Sequence, residues 1–245
     1  MAKEAEIHVM KVEVGELHCY ILGRTPIILN RMSEKARGQL LLPHKKNAAE
    51  RAGTLKHNPI EEFRASPYLD RHSSSPTLLQ HLATAFKGAM RGAALDIPGA
   101  TKSQIGRLTY IQGEYVSIHG VPKLLMSVTR SADINRTPDI RTRCIVPQWA
   151  CELTLQFMKP ILTPATVGNL LSAAGLTQGV GDWRPEKGSG TYGQFELVAP
   201  DDPRWLAVRE AGGRAAQQAA MDYPECYDAE TQELLEWFDG QLAKR

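Results

Sequence analysis

Residues 163–199 read TPATVGNLLSAAGLTQGVGDWRPEKGSGTYGQFELVA, and three signals follow one another in them. Thr163 stands where an N-cap side chain accepts from free amides, Pro164 at the first helical position and Gly175 at the stop. TPATVGNLLSAAG therefore predicts a core helix. The stretch from 175 to 195 then packs six glycines among Trp183, Arg184, Lys187, Tyr192 and Phe195. YGQFELVA, with its aromatic and branched residues, predicts a last strand.

Glycine at this density permits positive φ and lets backbone amides approach a ligand, phosphate above all. The cations add charge for phosphate and the rings add faces for stacked bases, which is the composition of single-stranded nucleic-acid platforms. Gly179, Gly181, Trp183, Arg184, Lys187, Gly188, Gly190 and Tyr192 are the candidate contacts. The competing reading is a tight hairpin whose Trp183 and Phe195 plug the end of a sheet.

Upstream, EIHVMKVEV and ELHCYILG predict strands, TPIILN continues the apolar run, and Ser33 would cap a helix at EKARGQLL. From 43 to 75 the apolar period is lost, which predicts a long basic insertion. Thr77 then opens a predicted helix, TLLQHLATAFKGAMRGAAL, with Leu78, Leu82, Ala85, Phe86 and Ala89 on one face. RLTYIQG, YVSIHG, KLLMSVT and CIVPQWACELTLQFM predict further strands. In the last, Trp149, Cys151, Leu153, Leu155 and Phe157 alternate with polar residues, so one sheet face is buried and the other available.

Strand, helix, strands, helix, strand is the split βαβ plan. The expected class is α+β: a modified ferredoxin-like (RRM-like) antiparallel sheet with two core helices, long basic insertions and a C-terminal helical extension. RNA-recognition modules use the uncovered face of such a sheet. Residues 1–200 form the expected nucleic-acid-binding domain, with the insertion at 43–75 and a hairpin at 129–143. Residues 201–245 form the extension, whose Trp205, Leu206, Leu234, Leu235, Trp237 and Phe238 are too apolar for a disordered tail.

The net charge of +2 hides an asymmetry: residues 201–245 hold ten acids against five bases, leaving 24 bases against 17 acids in residues 1–200. Two clusters stand out in that basic body. One spans 30–64, with Arg31, Lys35, Arg37, Lys45, Lys46, Arg51, Lys56 and Arg64. The other is TRSADINRTPDIRTR at 129–143, with Arg130, Arg136, Arg141 and Arg143, where Asp133 and Asp139 can pair off part of the charge. Such clusters neutralise phosphates and make binding salt-dependent, unless they serve only as solvated loops.

Cys19, Cys144, Cys151 and Cys226 form no C-x-x-C pair, which argues against a zinc site or a disulfide framework; they are expected to be buried or incidental thiols, and no metal or cofactor is expected. The longest apolar runs fall short of the roughly 18 residues of a membrane span, and MAKEAEIHVMKVEVGEL has no apolar signal region. The expectation is a cytoplasmic protein without membrane partners.

The segment GLTQGVGDWRPEKGSGTYGQFELV is similar to the C-terminal glycine-rich loop of the RAMP superfamily, the RNA-binding subunits of CRISPR effector complexes. In that family a G-h-G pattern, several residues and then G-h-G-x-h precede the last strand. LGRTPIILNRMSEKA and ILTPATVGNLLSAAG extend the resemblance over about residues 15–200, and the segment is especially close to phage- or plasmid-borne proteins of the thumb-bearing backbone type. The resemblance implies a subunit that polymerises with other copies and other effector subunits along a guide RNA (crRNA), its sheet and glycine loop holding phosphates. The acidic tail departs from the family pattern.

Three rivals remain. A single-stranded DNA-binding protein for phage replication or recombination has the same charge and aromatics. An endoribonuclease would use His44, His57 or His72 as general acid or base, although no triad spacing or carboxylate pair orients them, and the one aspartate of the early loop region is Asp70. No catalytic role is therefore assigned. An interaction protein would use the acidic tail as its working surface.

Overall fold

β1 (Glu13–Gly23) lies between β9 (Ala150–Lys159) and β10 (Phe195–Val198), and β5 (Thr109–Ile111) pairs with the far side of β9, giving the order β10-β1-β9-β5 with every neighbour antiparallel. The computed structural model describes residues 9–32, 41, 57–130, 138–187 and 190–244. Among them the chain is mixed α/β, with antiparallel sheets and seven α-helices.

The expected alternation in β9 is present. Cys151, Leu153, Leu155 and Phe157 are buried, and the register sets Leu153 beside Cys19 and Leu155 beside Leu17 on one face. Two helices supply core residues to that face: α2 (Ala83–Ala93) with Phe86 and Met90, and α4 (Pro164–Thr177) with Val167, Leu170 and Leu171. Each fully buried aliphatic or aromatic side chain contributes about 2 kcal/mol.

Thr163 caps α4 by accepting from the Thr166 amide at 3.2 Å, as its sequence position predicts. The helix, however, runs through Gly175 to Thr177, and Gly179, with φ +65°, follows its C-cap Gln178. Gly175 is glycine because a Cβ there would stand 2.2 Å from the Phe195 carbonyl oxygen. It lets the last strand close on the helix.

Two smaller sheets flank the first. One runs in the order β2 (Ile27–Leu29), β8 (Pro138–Val146), β7 (Lys123–Arg130); the other in the order β3 (Tyr68–Leu69), β4 (Leu79–Leu82), β6 (Tyr115–Ser117).

Several sequence expectations are corrected. The 43–75 insertion contains α1 (Pro59–Ala65), capped by Asn58 and anchored by the fully buried Phe63, and then β3. The helix expected from Thr77 begins at Ala83; Leu79–Leu82 is a strand between β3 and β6, because its apolar spacing serves a sheet face as well as a helix face. RLTYIQG is the end of α3 (Lys102–Leu108) followed by β5. CIVPQWACELTLQFM is two strands, and Trp149 sits in the turn between them, buried, donating Nε1 to the Thr25 carbonyl at 2.9 Å. The helix expected at EKARGQLL lies almost wholly outside the described residues.

The C-terminal region forms α5 (Pro203–Ala211), α6 (Arg214–Asp222) and α7 (Ala229–Leu242). Trp205, 1% exposed, covers one end of the outer face of the first sheet, with Tyr20 edge-on at 5.2 Å and Leu22 and Ala150 beside it. Gln217 and Met221 are buried, Thr231 accepts from the Met126 amide at 3.2 Å, and Leu234 and Leu235 pack against the main core. Leu206 and Trp237 remain exposed. No helix among the described residues is long and apolar enough to cross a membrane.

Candidate nucleic-acid interface

The glycine-rich segment lies on the outer face of the β2-β8-β7 sheet. Ile28, Leu125 and Ile145 form the buried apolar surface of that face, with Trp183, Tyr192 and Tyr227 packed over them. The segment is stitched down by backbone bonds: Asp182 N donates to Ile28 O at 2.9 Å, Gly193 N to Pro26 O at 2.8 Å and Tyr192 N to Trp183 O at 3.1 Å. What crowds its glycines is the protein's own backbone. Gly193, at φ +71°, would place a Cβ 1.7 Å from Val180 O, and Gly190 would place one 1.7 Å from Trp183 O. Gly179 and Gly181 take positive φ on the way in, and Trp183 itself adopts φ +51°, a conformation that costs a non-glycine residue about 1 kcal/mol or more.

Arg143 fixes the segment from beneath. Expected as a surface contact, it is corrected to a buried clamp: its side chain is 3% exposed, ion-paired to Asp182, bonded to Ser127 Oγ at 2.8 Å, and stacked 4.6 Å from the Trp183 ring centre. Burial pulls the guanidinium below its ordinary pKa, and the Asp182 carboxylate works against that shift. Asp182 also accepts from Asn30 Nδ2 at 2.9 Å and from the Trp183 amide at 3.0 Å.

Arg184 is likewise engaged internally, donating Nε to Glu186 at 2.8 Å and NH1 to Gly181 O at 2.8 Å. Lys187 is exposed at the end of the 3-10 turn Pro185–Lys187, and Arg141 is exposed on the same β8 face as Arg143. Neither makes an ion pair with a described residue. Arg141, with the half-buried Trp183 and Tyr192, is what this face offers a polyanion, and Lys187 adds an exposed cation on the segment itself.

The remaining candidates disperse. Arg31 lies against the Tyr68 ring at 5.6 Å, and Arg64 caps the end of α6 through Met221 O and Asp222 O, both at 3.0 Å. Gly188, Lys35, Arg37, Lys45, Lys46, Arg51, Lys56, Arg136 and the side chain of Arg130 fall outside the described residues. The open face of the first sheet is corrected as a phosphate platform: its strands present Glu16, His18, Tyr20, Glu152, Thr154, Gln156 and Glu196, with no lysine or arginine.

Of the histidines that the endoribonuclease reading would use, His44 is outside the described residues. His57 is oriented after all, with Nδ1 at 2.9 Å from Glu62 and Nε2 at 3.1 Å from Asp139, so both ring nitrogens are committed to tying α1 to the β7–β8 hairpin. Asp70 accepts from Ser75 Oγ, Gln80 Nε2 and the His72 amide, and the bonds from Ser75 and then the His72 amide hold its carboxyl below the usual range. It closes a local turn. Cys19, Cys144 and Cys151 are buried, and burial raises each thiol. No group of three or more His, Cys, Asp or Glu that could hold a metal ion occurs among the described residues.

A basic surface that the sequence reading missed lies on the helical side. Lys87 sits 4.3 Å above the Tyr110 ring, Arg91 runs along α3 beside Gly106, and Lys102 and Arg107 project from α3. Burial, and then the charge of Arg91, lowers the Lys87 pKa. The spacing Lys87–Arg91, one helical turn, was the available signal.

No family model matches the sequence, and no curated protein matches it. Among the solved structures that are similar are two whose alignments run as follows. The Type III-B Cmr-beta bound to cognate target RNA aligns at 14% identity and TM-score 0.39 over 76% of this chain; this chain spans 59% of that one. Cmr6 from Pyrococcus furiosus aligns at 9% identity and TM-score 0.39, over 76% of this chain and 98% of that one.

Proposed function

We propose that the protein is a non-catalytic RNA-binding subunit of RAMP type that assembles with further copies of itself along a guide RNA in a CRISPR-type effector. The observation that carries this reading is the glycine-rich segment, held as a layer on the second sheet by the buried Arg143–Asp182 pair. It brings Trp183 and Tyr192 together over the face of β8 that carries the exposed Arg141, and Lys187 is exposed on the segment itself. Aromatic faces beside unpaired cations suit stacked bases and phosphates. The strand order β10-β1-β9-β5, with one core helix crossing between β1 and β5 and another between β9 and β10, supports a modified ferredoxin-like core. The helices within residues 201–244 form an extension docked on that core.

The test is Arg141→Ala with Lys187→Ala, titrated by fluorescence anisotropy against a labelled single-stranded RNA at several salt concentrations. Both side chains are exposed, so the fold is expected to be retained. The expected result is affinity about tenfold or more weaker at low salt, with the slope of log K against log salt reduced by about two. Unchanged affinity and slope would remove the segment from the interface. A matched DNA oligomer, binding as well as RNA, would favour the replication-protein reading.

A further inference from the structure

A second site lies on the outer face of the first sheet, where the phosphate reading fails. Beyond the end covered by Trp205, the β1 and β9 backbones form the floor of an open cleft of about 480 Å³. His18 and Tyr20 stand on one side of the floor, Glu152 on the other, and the β5–β6 turn with β6 supplies a wall with Gln112, Tyr115 and Ser117. The size falls in the range of small-ligand pockets, about 300–1,000 Å³.

Outside the cleft Gln156 Nε2 donates to Glu16 at 2.8 Å, and at the cleft's floor His18 Nδ1 lies 3.0 Å from Thr154 Oγ1. The other polar groups of the cleft are not paired in this way. Among the described residues, Glu152, Gln112, Ser117 and the Tyr20 and Tyr115 hydroxyls make no side-chain hydrogen bond with one another. The Tyr115 ring, 41% exposed, stands on Tyr68 at 5.5 Å and leaves its other side to the cleft.

We propose that this cleft holds a guanine base. Among the described residues no lysine or arginine lines it, so it suits a neutral group rather than a phosphate. Its one charge is a carboxylate, an acceptor with two oxygens side by side. Guanine alone among the four RNA bases presents two adjacent donors, the ring N1–H and the exocyclic amine, along one edge. Adenine and cytosine pair a single amine with a ring nitrogen acceptor that a carboxylate repels, and uracil flanks its one N–H with two carbonyls. The tyrosine supplies a ring face for stacking, and Gln112 and Ser117 supply donors for the base oxygen. Nothing in the sequence pointed here, because the cleft is built from β1, the β5–β6 turn with β6, and β9, and more than 90 residues separate Tyr20 of the first from Gln112 of the second.

If the base belongs to a bound strand, the inference rests on the RNA-binding reading; a free guanine nucleotide would not need it. The experiment separates the two. Nine-nucleotide oligouridylates carrying a single central guanine, adenine or inosine are titrated against the wild type and Glu152→Gln, and GMP is titrated separately. The expected result is that the guanine oligomer binds about tenfold tighter than the adenine one, with inosine, which lacks the exocyclic amine, in between. Glu152→Gln brings guanine and adenine within about twofold while all-uridine affinity stays put. The inference is overturned if the wild type binds oligomers without guanine preference, or if the preference survives in Glu152→Gln. GMP binding that depends on Glu152, with no oligomer bound, would keep the cleft and remove the RNA reading; no binding of either would remove both.

Discussion

Arg143→Met is expected to lower the unfolding free energy by about 3 kcal/mol in urea denaturation and to weaken RNA binding with it. The guanidinium is 3% exposed and holds three partners at once: the Asp182 carboxylate, Ser127 Oγ and the face of Trp183. Removing one member of such a buried pair costs about 3–5 kcal/mol, because the other charge stays desolvated. The lower end applies here, since Asp182 is 29% exposed and keeps Asn30 and the Trp183 amide as donors. Adding Asp182→Asn should restore part of the loss, as a shared pair requires. Arg143→Lys should not, because an ammonium cannot reach a carboxylate and a hydroxyl as a planar fork while lying on an indole. A loss below about 1 kcal/mol would mean that the glycine-rich segment is held by its backbone bonds alone.

Gln217→Leu is expected to cost about 4 kcal/mol and to lower the melting temperature by about 10 °C. This amide is fully buried and spans three segments of the chain. Its oxygen accepts from the Leu78 and Leu79 amides at 2.7 and 3.0 Å, and its nitrogen donates to the carbonyls of Ile118, Gly120 and Gly212 at 2.7, 3.0 and 2.9 Å. Leucine fills the space and leaves those backbone groups without their partner, each at roughly 1–3 kcal/mol before relaxation, with Gly212 O keeping the Gly120 amide. Gln217→Glu should be worse, since it keeps the acceptor but aims a carboxylate at three carbonyls. A mild phenotype would show that α6 is not a structural part of the β4–β6 region.

What could be read from sequence was local. Thr163 and Pro164 announce α4 because a cap needs only the next three residues, and the alternation from Cys151 to Phe157 announces a half-buried strand for the same reason. The true stop, Gly179, was hidden by Gly175, whose reason for being glycine is a strand twenty residues away. Leu78 and Leu82 fit a helical face by accident, and only pairing with β3 and β6 makes Leu79–Leu82 a strand, with Leu78 just ahead of it. The start of α3 was legible and passed over: Thr101 and Gln104 form a capping box. Arg143 shows the opposite limit. An arginine in a basic hairpin looks like a phosphate contact until Asp182, 39 residues on, is placed beside it.

The measurement that bears most directly on the proposed function is the nucleic acid that travels with the protein. The 27.1 kDa chain is purified without nuclease, sized by gel filtration, and its absorbance ratio read before and after separate RNase and DNase digestion. The expected result is a particle much larger than one chain, rich in absorbance at 260 nm, that collapses with RNase and not with DNase. A nucleic-acid-free monomer that also fails to bind added single-stranded RNA at low salt would contradict it.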